Sequence, residues 1–154
     1  MPRAYRIVKA RYAGNAFDGE GAWLQGGRWS NAGTRIVYTA GSISLAILEV
    51  LVHLQQTQFL SGYVVFDLDF PDSVVQELDP ALLPANWRKF PAPVSTKEIG
   101  DNWIRNSSSV ILRVPSVIVP TEYAFLVNPT HGDFTSITIN GPALLDIDHR
   151  LLGS

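Results

Sequence analysis

The chain has 154 residues, 46% of them apolar and 17% charged, which suits one ordered domain over residues 1–154 with a sizeable core. A net charge of −2 and a pI of about 5.8 lack the basic footprint of a nucleic-acid binder, and no run of Lys or Arg suits an acidic membrane surface. The absence of cysteine excludes disulfides and thiol catalysis and fits a reducing cytosol.

The opening MPRAYRIVKARYAG has no apolar region of a secretory signal, and its part from Ala4 to Ala10 reads as a strand. Tyr12 to Gly27 is rich in glycine and small residues and reads as a loop, followed by Arg28–Ser30 and the turn Asn31-Ala32-Gly33. Ile36–Thr39 is a buried strand by its β-branched and aromatic content. Ser42 to Gln55 is the clearest helix, capped by Ser42, with Leu45, Leu48 and Val52 at helical spacing. Ile43, Ile47 and Val50 widen its apolar surface, so burial on most sides is expected. The stretch Ile43 to Leu54 is too short and too polar to span a bilayer, and a soluble cytoplasmic protein is expected.

Gly62–Phe70 alternates as a strand, with Tyr63, Val65 and Leu68 expected on one side. Asp79–Pro93 holds four prolines and reads as a loop with short helical turns at most, and Thr96–Arg105 as a helix. Val110–Val119 is a strand pair or one strand kinked at Pro115. Tyr123–Val127 and Phe134–Ile139 are short strands, and Asp146–Leu152 is a terminal one. Strands outnumber helices without alternating with them, so the fold class is α+β with a mixed or antiparallel sheet.

Chemistry concentrates in GGRWSNAGTRIVYTAGSISLAILEVLVHL, where Arg28, Tyr38 and Glu49 stand in apolar surroundings. A buried carboxylate without a partner costs several kcal/mol, on the order of, so Glu49 either pairs with a cation or lines a polar cavity. An internal Arg28–Glu49 ion pair, with Tyr38 as a core aromatic, and a functional cluster both stay open. His53 shares the face of Glu49 at i+4, either as a hydrogen-bonded cleft histidine or as a group that orients Glu49 or touches substrate. His131 and His149 are isolated and no metal-ligand spacing appears, so no metal is expected. GxSxG, GxGxxG and the P-loop are absent, and Asp67/Asp69 and Asp146/Asp148 read as solvated acids.

The same residues resemble the RES-domain family, the toxin halves of bacterial RES–Xre toxin–antitoxin modules. AYRIVKARYA is similar to the family's opening, with Arg6 after an aromatic, and the glycine-to-leucine stretch just quoted to its central block. LPANW, TKEIGDNWI, SSSVILRVPSVIVPTEYAFLVNP and DIDHRLL, with Asp148 and Arg150, follow in the family's order, so the likeness covers nearly all of the chain. Arg28 and Glu49 match the Arg and Glu for which the family is named, and Tyr38 matches its Tyr; the Ser is one of Ser108, Ser109 and Ser116. Tyr123-Ala124-Phe125 stands where the family often carries an Asn-Tyr pair.

The resemblance implies a fold similar to ADP-ribosyltransferases and a toxin that cleaves NAD or transfers its ADP-ribose. In that chemistry Glu49 stabilises an oxocarbenium-like centre. Arg28 and Arg6 suit the pyrophosphate. The Tyr38 ring suits the nicotinamide, and a serine hydroxyl binds phosphate or ribose. Water, phosphate and a protein side chain all stay open as acceptor, as does a catalytically inactive module that only binds its partner. The partner the resemblance implies is an Xre-type antitoxin, with no direct contact of this chain to nucleic acid expected. For a toxin neutralised in a larger complex a homodimer is expected.

Overall fold

A computed structural model describes residues 2–53 and 62–151, with the side chain of His149 excepted. Seven strands form one mixed sheet: β1 (Arg3–Lys9), β2 (Val37–Ala40), β3 (Tyr63–Asp69), β4 (Val75–Glu77), β5 (Ile111–Pro115), β6 (Tyr123–Val127) and β7 (Thr138–Leu144). Their order is β4-β5-β6-β2-β1-β3-β7, with every pair antiparallel except β4 and β5. Among the described residues three α-helices accompany them: α1 (Glu20–Gln25), α2 (Ile43–His53) and α3 (Val94–Asn106). The α+β expectation therefore holds. Among the described residues no helix is long and apolar enough to cross a membrane.

The sheet is split near its middle. Over its full length β1 pairs with β3, from Arg3↔Asp69 to Lys9↔Tyr63, but it meets β2 only at Tyr5↔Ala40. Two half-sheets thus diverge from one point of contact. Residue parity assigns the two faces, since successive side chains on a strand point to opposite sides. One face gathers Ala4, Val37, Leu68, Ile111, Phe125 and Val127 into a core. The other packs Leu112, Val114 and Leu126 under Trp29 and Trp103, and Ala40, Tyr5 and Ile7 under Leu45 and Ala46 of α2.

Several expectations are corrected. Tyr12–Gly27 is not a plain loop: a 3-10 turn covers Ala10–Asn15 and α1 follows, started where Asp18 Oδ1 accepts from Glu20 N at 2.9 Å. On β3 the buried set is Val64, Phe66 and Leu68, so Leu68 shares a face with those two and not with Tyr63 and Val65. The strand at Val110–Val119 ends at Pro115, and Ser116 turns the chain. Phe134–Ile139 is mostly a 3-10 turn (Gly132–Ser136), and the strand begins at Thr138 and runs on through Pro142. Proline is tolerated there because β7 is an edge strand with one side unpaired. Asp146–Asp148 form no strand, His149–Leu151 make a 3-10 turn, and Leu152 lies outside the described residues.

α2 is capped as expected, Ser42 Oγ accepting from Leu45 N at 3.0 Å, and Leu54 and Gln55 lie outside the described residues. It is less buried than its composition suggests: only Leu45 and Ala46 are buried, while Ile43, Leu48 and Val52 are exposed. Packing against one sheet face accounts for this, because a helix lying on a sheet covers only a stripe.

Candidate active site around Glu49, Ser116 and the Arg28 turn

The turn that carries Arg28 is built by close approach. Gly27 N donates to Ser30 O at 2.9 Å, so Arg28 and Trp29 occupy the tip of a tight reversal. A Cβ on Gly27 would lie 2.5 Å from the Tyr38 hydroxyl, which explains the glycine. That hydroxyl accepts from Trp29 N at 3.1 Å and lies 2.7 Å from Ser30 Oγ. Burial pushes the Tyr38 phenol up to about 12, against the lowering effect of its Ser30 hydrogen bond. Tyr38 therefore stays neutral and holds the turn from below. The hydroxyl is engaged in this, and the ring packs against the cluster of Trp29, Trp103 and Leu126.

α3 holds the same turn from the other side. Thr96 Oγ1 donates to Arg28 O at 2.7 Å, and Asp101 accepts from Asn31 N at 3.1 Å and from Asn31 Nδ2 at 2.7 Å. Gly100 lies against the turn so closely that a Cβ would stand 1.7 Å from Trp29 O. Positions 96, 100 and 101 lie on one helix face, as the helical period requires.

The Arg28 side chain crosses to the segment between Pro84 and Pro93. Its Nη1 donates to Trp87 O at 3.2 Å and also to Lys89 O. Trp87 stacks on Trp29 with ring centroids 6.5 Å apart, and Arg88 Nε donates to Val117 O at 3.1 Å. This strap thus joins the Arg28 turn to the turn after β5. The Arg28 Nε and Nη2 groups donate to no protein atom among the described residues.

Glu49 lies on α2, half-buried, facing that second turn. Ser116, 1% exposed, accepts from Ile118 N at 3.1 Å and Val119 N at 3.2 Å, and donates to Glu49 Oε1 over a long 3.5 Å. Burial raises the Glu49 carboxyl above its ordinary value, while His53, Ser116 and Arg28, in falling order, pull it down. Desolvation lowers the Arg28 guanidinium, and Glu49 is the first of the opposing influences. The two groups thus sense each other, yet no Arg28–Glu49 ion pair forms among the described residues. The reading as a closed internal ion pair is set aside on that geometry. His53 is exposed at the end of α2, where it acts on Glu49 only by charge.

Three sequence candidates fall elsewhere. Ser109 accepts from Trp103 Nε1 at 2.9 Å and donates to Ile111 O at 2.9 Å, and Ser108 donates to Gln76 Oε1 at 2.7 Å. Both stand at the start of β5, and Ser116 follows its far end, about 20 Å away for an extended chain. Of the three serines the structure brings Ser116 alone to Glu49. Arg6 belongs by parity to the opposite face from Tyr5 and reaches into the split. Its Nε donates to Ala16 O at 2.6 Å and its Nη1 to Tyr38 O at 2.9 Å. Burial lowers the Arg6 guanidinium to about 10, with Asp18 opposing.

Sequence reasoning missed Thr96, Gly100 and Asp101, and the carbonyls of Trp87 and Lys89. The carbonyls have no side-chain signature, and Thr96 at a helix start reads as a cap. The pair Gly26-Gly27 before Arg28 was the usable signal, since it marks a turn under steric pressure.

The RES domain family model matches residues 3–148. A protein described as Toxin Res from Yersinia enterocolitica is 43% identical over 148 residues, which cover 96% of this chain and 97% of that one. The Prs ADP-ribosylating toxin of a Sphingobium species is 36% identical over 129 residues, 82% of this chain and 80% of that one. A chain of the M. tuberculosis MbcT–MbcA toxin–antitoxin complex has the same fold, with a TM-score of 0.74 at 19% identity, covering 93% of this chain and 83% of that one. With the family model spanning nearly the whole chain and relatives this similar over almost their full lengths, the chain belongs to the RES-domain family.

Proposed function

We propose that the chain is the toxin of a bacterial toxin–antitoxin pair and that it cleaves the nicotinamide–ribose bond of NAD. The observation that carries this reading is the half-buried Glu49 carboxylate, raised by burial, touched by Ser116 and left unpaired by Arg28. A fixed carboxylate of this kind has little value to the fold but suits a developing positive charge.

The chemistry follows from the charges. As the bond from ribose C1′ to the pyridinium nitrogen breaks, its electron pair goes to that nitrogen and nicotinamide leaves neutral. Departure therefore needs no general acid, and the site offers no second carboxylate beside Glu49 among the described residues. The positive charge moves to the ribose, where Glu49 stabilises it. Arg28 Nε and Nη2 supply charge-assisted hydrogen bonds to the pyrophosphate. Ser116, with its proton toward Glu49, orients that carboxylate at the ribose.

Water or phosphate then captures the ribose, and the cellular NAD pool falls. A second reading is favoured by one relative, the Prs ADP-ribosylating toxin: the acceptor is a protein side chain. Partnership with an antitoxin is supported by the fold shared with a chain of a toxin–antitoxin complex, and the family resemblance makes an Xre-type antitoxin the expected one. Induced expression in a bacterial host without the antitoxin tests the proposal. The intact chain is expected to arrest growth with a fall in NAD, and Arg28→Ala to do neither. Growth arrest with an unchanged NAD pool and no ADP-ribosylated protein would reject it.

A further inference from the structure

We infer that Thr96 is a positioning residue for Arg28, acting through the Arg28 main chain. The inference rests on the reading of Arg28 as the pyrophosphate ligand. Thr96 is completely buried, at 0% exposure, in the first turn of α3. A threonine here ordinarily either caps the helix or bonds back to the carbonyl three residues earlier. The cap role is absent: α3 begins after Pro93 with no side-chain capping bond. The back-bond is the longer contact, Pro93 O at 3.1 Å, and Arg28 O, 68 residues away, is the shorter at 2.7 Å.

A hydroxyl has one proton, and these two carbonyls share it. They belong to the two pieces of chain that define where the guanidinium sits. Arg28 O is in the turn itself, and Pro93 O ends the strap whose Trp87 and Lys89 carbonyls receive Arg28 Nη1. One buried hydroxyl therefore sets the turn and the strap relative to each other. Gly100 and Asp101 shape the rest of the turn through Trp29 and Asn31. Thr96 reaches Arg28 itself, and among the described residues no other side chain donates to Arg28 O.

Thr96→Val keeps the shape and removes the proton, and Thr96→Ser keeps the proton. Nicotinamide release from NAD is measured for both, alone and combined with Arg28→Ala. Thr96→Val is expected to lower kcat/KM about tenfold, the order of one lost hydrogen bond, mainly through KM. Thr96→Ser is expected to restore it. In the Arg28→Ala background Thr96→Val is expected to change nothing further, because its effect runs through Arg28. An equal loss in both backgrounds would mean a general structural role and overturn the inference. So would a Thr96→Val enzyme like the wild type.

If the wild type releases no nicotinamide with water, phosphate and bacterial lysate all supplied as acceptors, the functional reading fails, and positioning is read directly from the Arg28 Nε–Hε resonance by 15N NMR. One sharp signal is expected for wild type and Thr96→Ser, and a broadened or split one for Thr96→Val. An unchanged signal in Thr96→Val overturns the positioning role on its own.

Discussion

Glu49→Gln separates a working carboxylate from a structural one. Glutamine matches glutamate in shape and still accepts from Ser116 Oγ, which touches Oε1 at 3.5 Å. Burial raises the Glu49 carboxyl in the folded chain. An unfolded glutamate titrates near about 4.3. Between that pH and the raised folded value, the native chain binds more protons than the unfolded one. The contribution of Glu49 to stability is therefore fully present below the unfolded value and is lost as pH rises through the folded value. At neutral pH the ionised side chain opposes folding, so Glu49→Gln is expected to leave stability unchanged or slightly higher. Removing one partner of a closed buried ion pair costs about 3–5 kcal/mol instead. Activity should move the other way. Loss of a group that stabilises transition-state charge costs about 10²–10³ in kcat. Urea unfolding followed by tryptophan fluorescence at acid and neutral pH gives the first quantity, and nicotinamide release gives the second. Full activity in Glu49→Gln, or a multi-kcal/mol destabilisation at neutral pH, would refute the reasoning.

The pH profile of the wild type should carry the same signature. The acid limb of kcat/KM is expected above the ordinary carboxylate range, because burial raises free Glu49. The acid limb of kcat is expected lower, since bound cationic nicotinamide favours the carboxylate; a higher limb for kcat would contradict this. Ser116→Ala strips the acceptor from Ile118 N and Val119 N, and should cost about 1–3 kcal/mol together with activity. Ser108→Ala should leave kcat/KM unchanged, and any change above a few-fold would show that the Ser108–Gln76 contact reaches the site. Gly100→Ala forces a Cβ to within 1.7 Å of Trp29 O, so the turn must move or the chain must fail to fold. Circular dichroism and Arg28-dependent NAD binding distinguish those outcomes, and a fully active, fully stable Gly100→Ala would contradict the packing.

The parts of the fold legible in the sequence were those with a repeating local signal. α2 declared itself by helical spacing and its Ser42 cap, and β3 by its alternation, although Leu68 was assigned to the wrong face. Short elements did not. α1 spans six residues, too few for a period, and β4 has three residues whose partner β5 lies more than thirty positions on. β7 was misplaced because Phe134–Ile139 has strand-like composition while the strand itself runs on through Gly141-Pro142, which only an edge position tolerates. Glu49 was legible because a carboxylate in an apolar helix is costly. The choice of Ser116 over Ser109 was not, because it depends on which end of β5 meets α2. Arg6 shows the same limit: adjacency to Tyr5 fixes its face, but only tertiary structure shows that it bridges the split to Tyr38 O.

The most direct measurement is chromatographic detection of nicotinamide after incubating the purified chain with NAD, in buffer, with phosphate, and with bacterial lysate. The account predicts release by the wild type, matched by ADP-ribose, its phosphorylated form or labelled protein, and almost none by Glu49→Gln. No release by a folded wild-type chain with all three acceptors supplied would contradict the claim that this site breaks the nicotinamide–ribose bond.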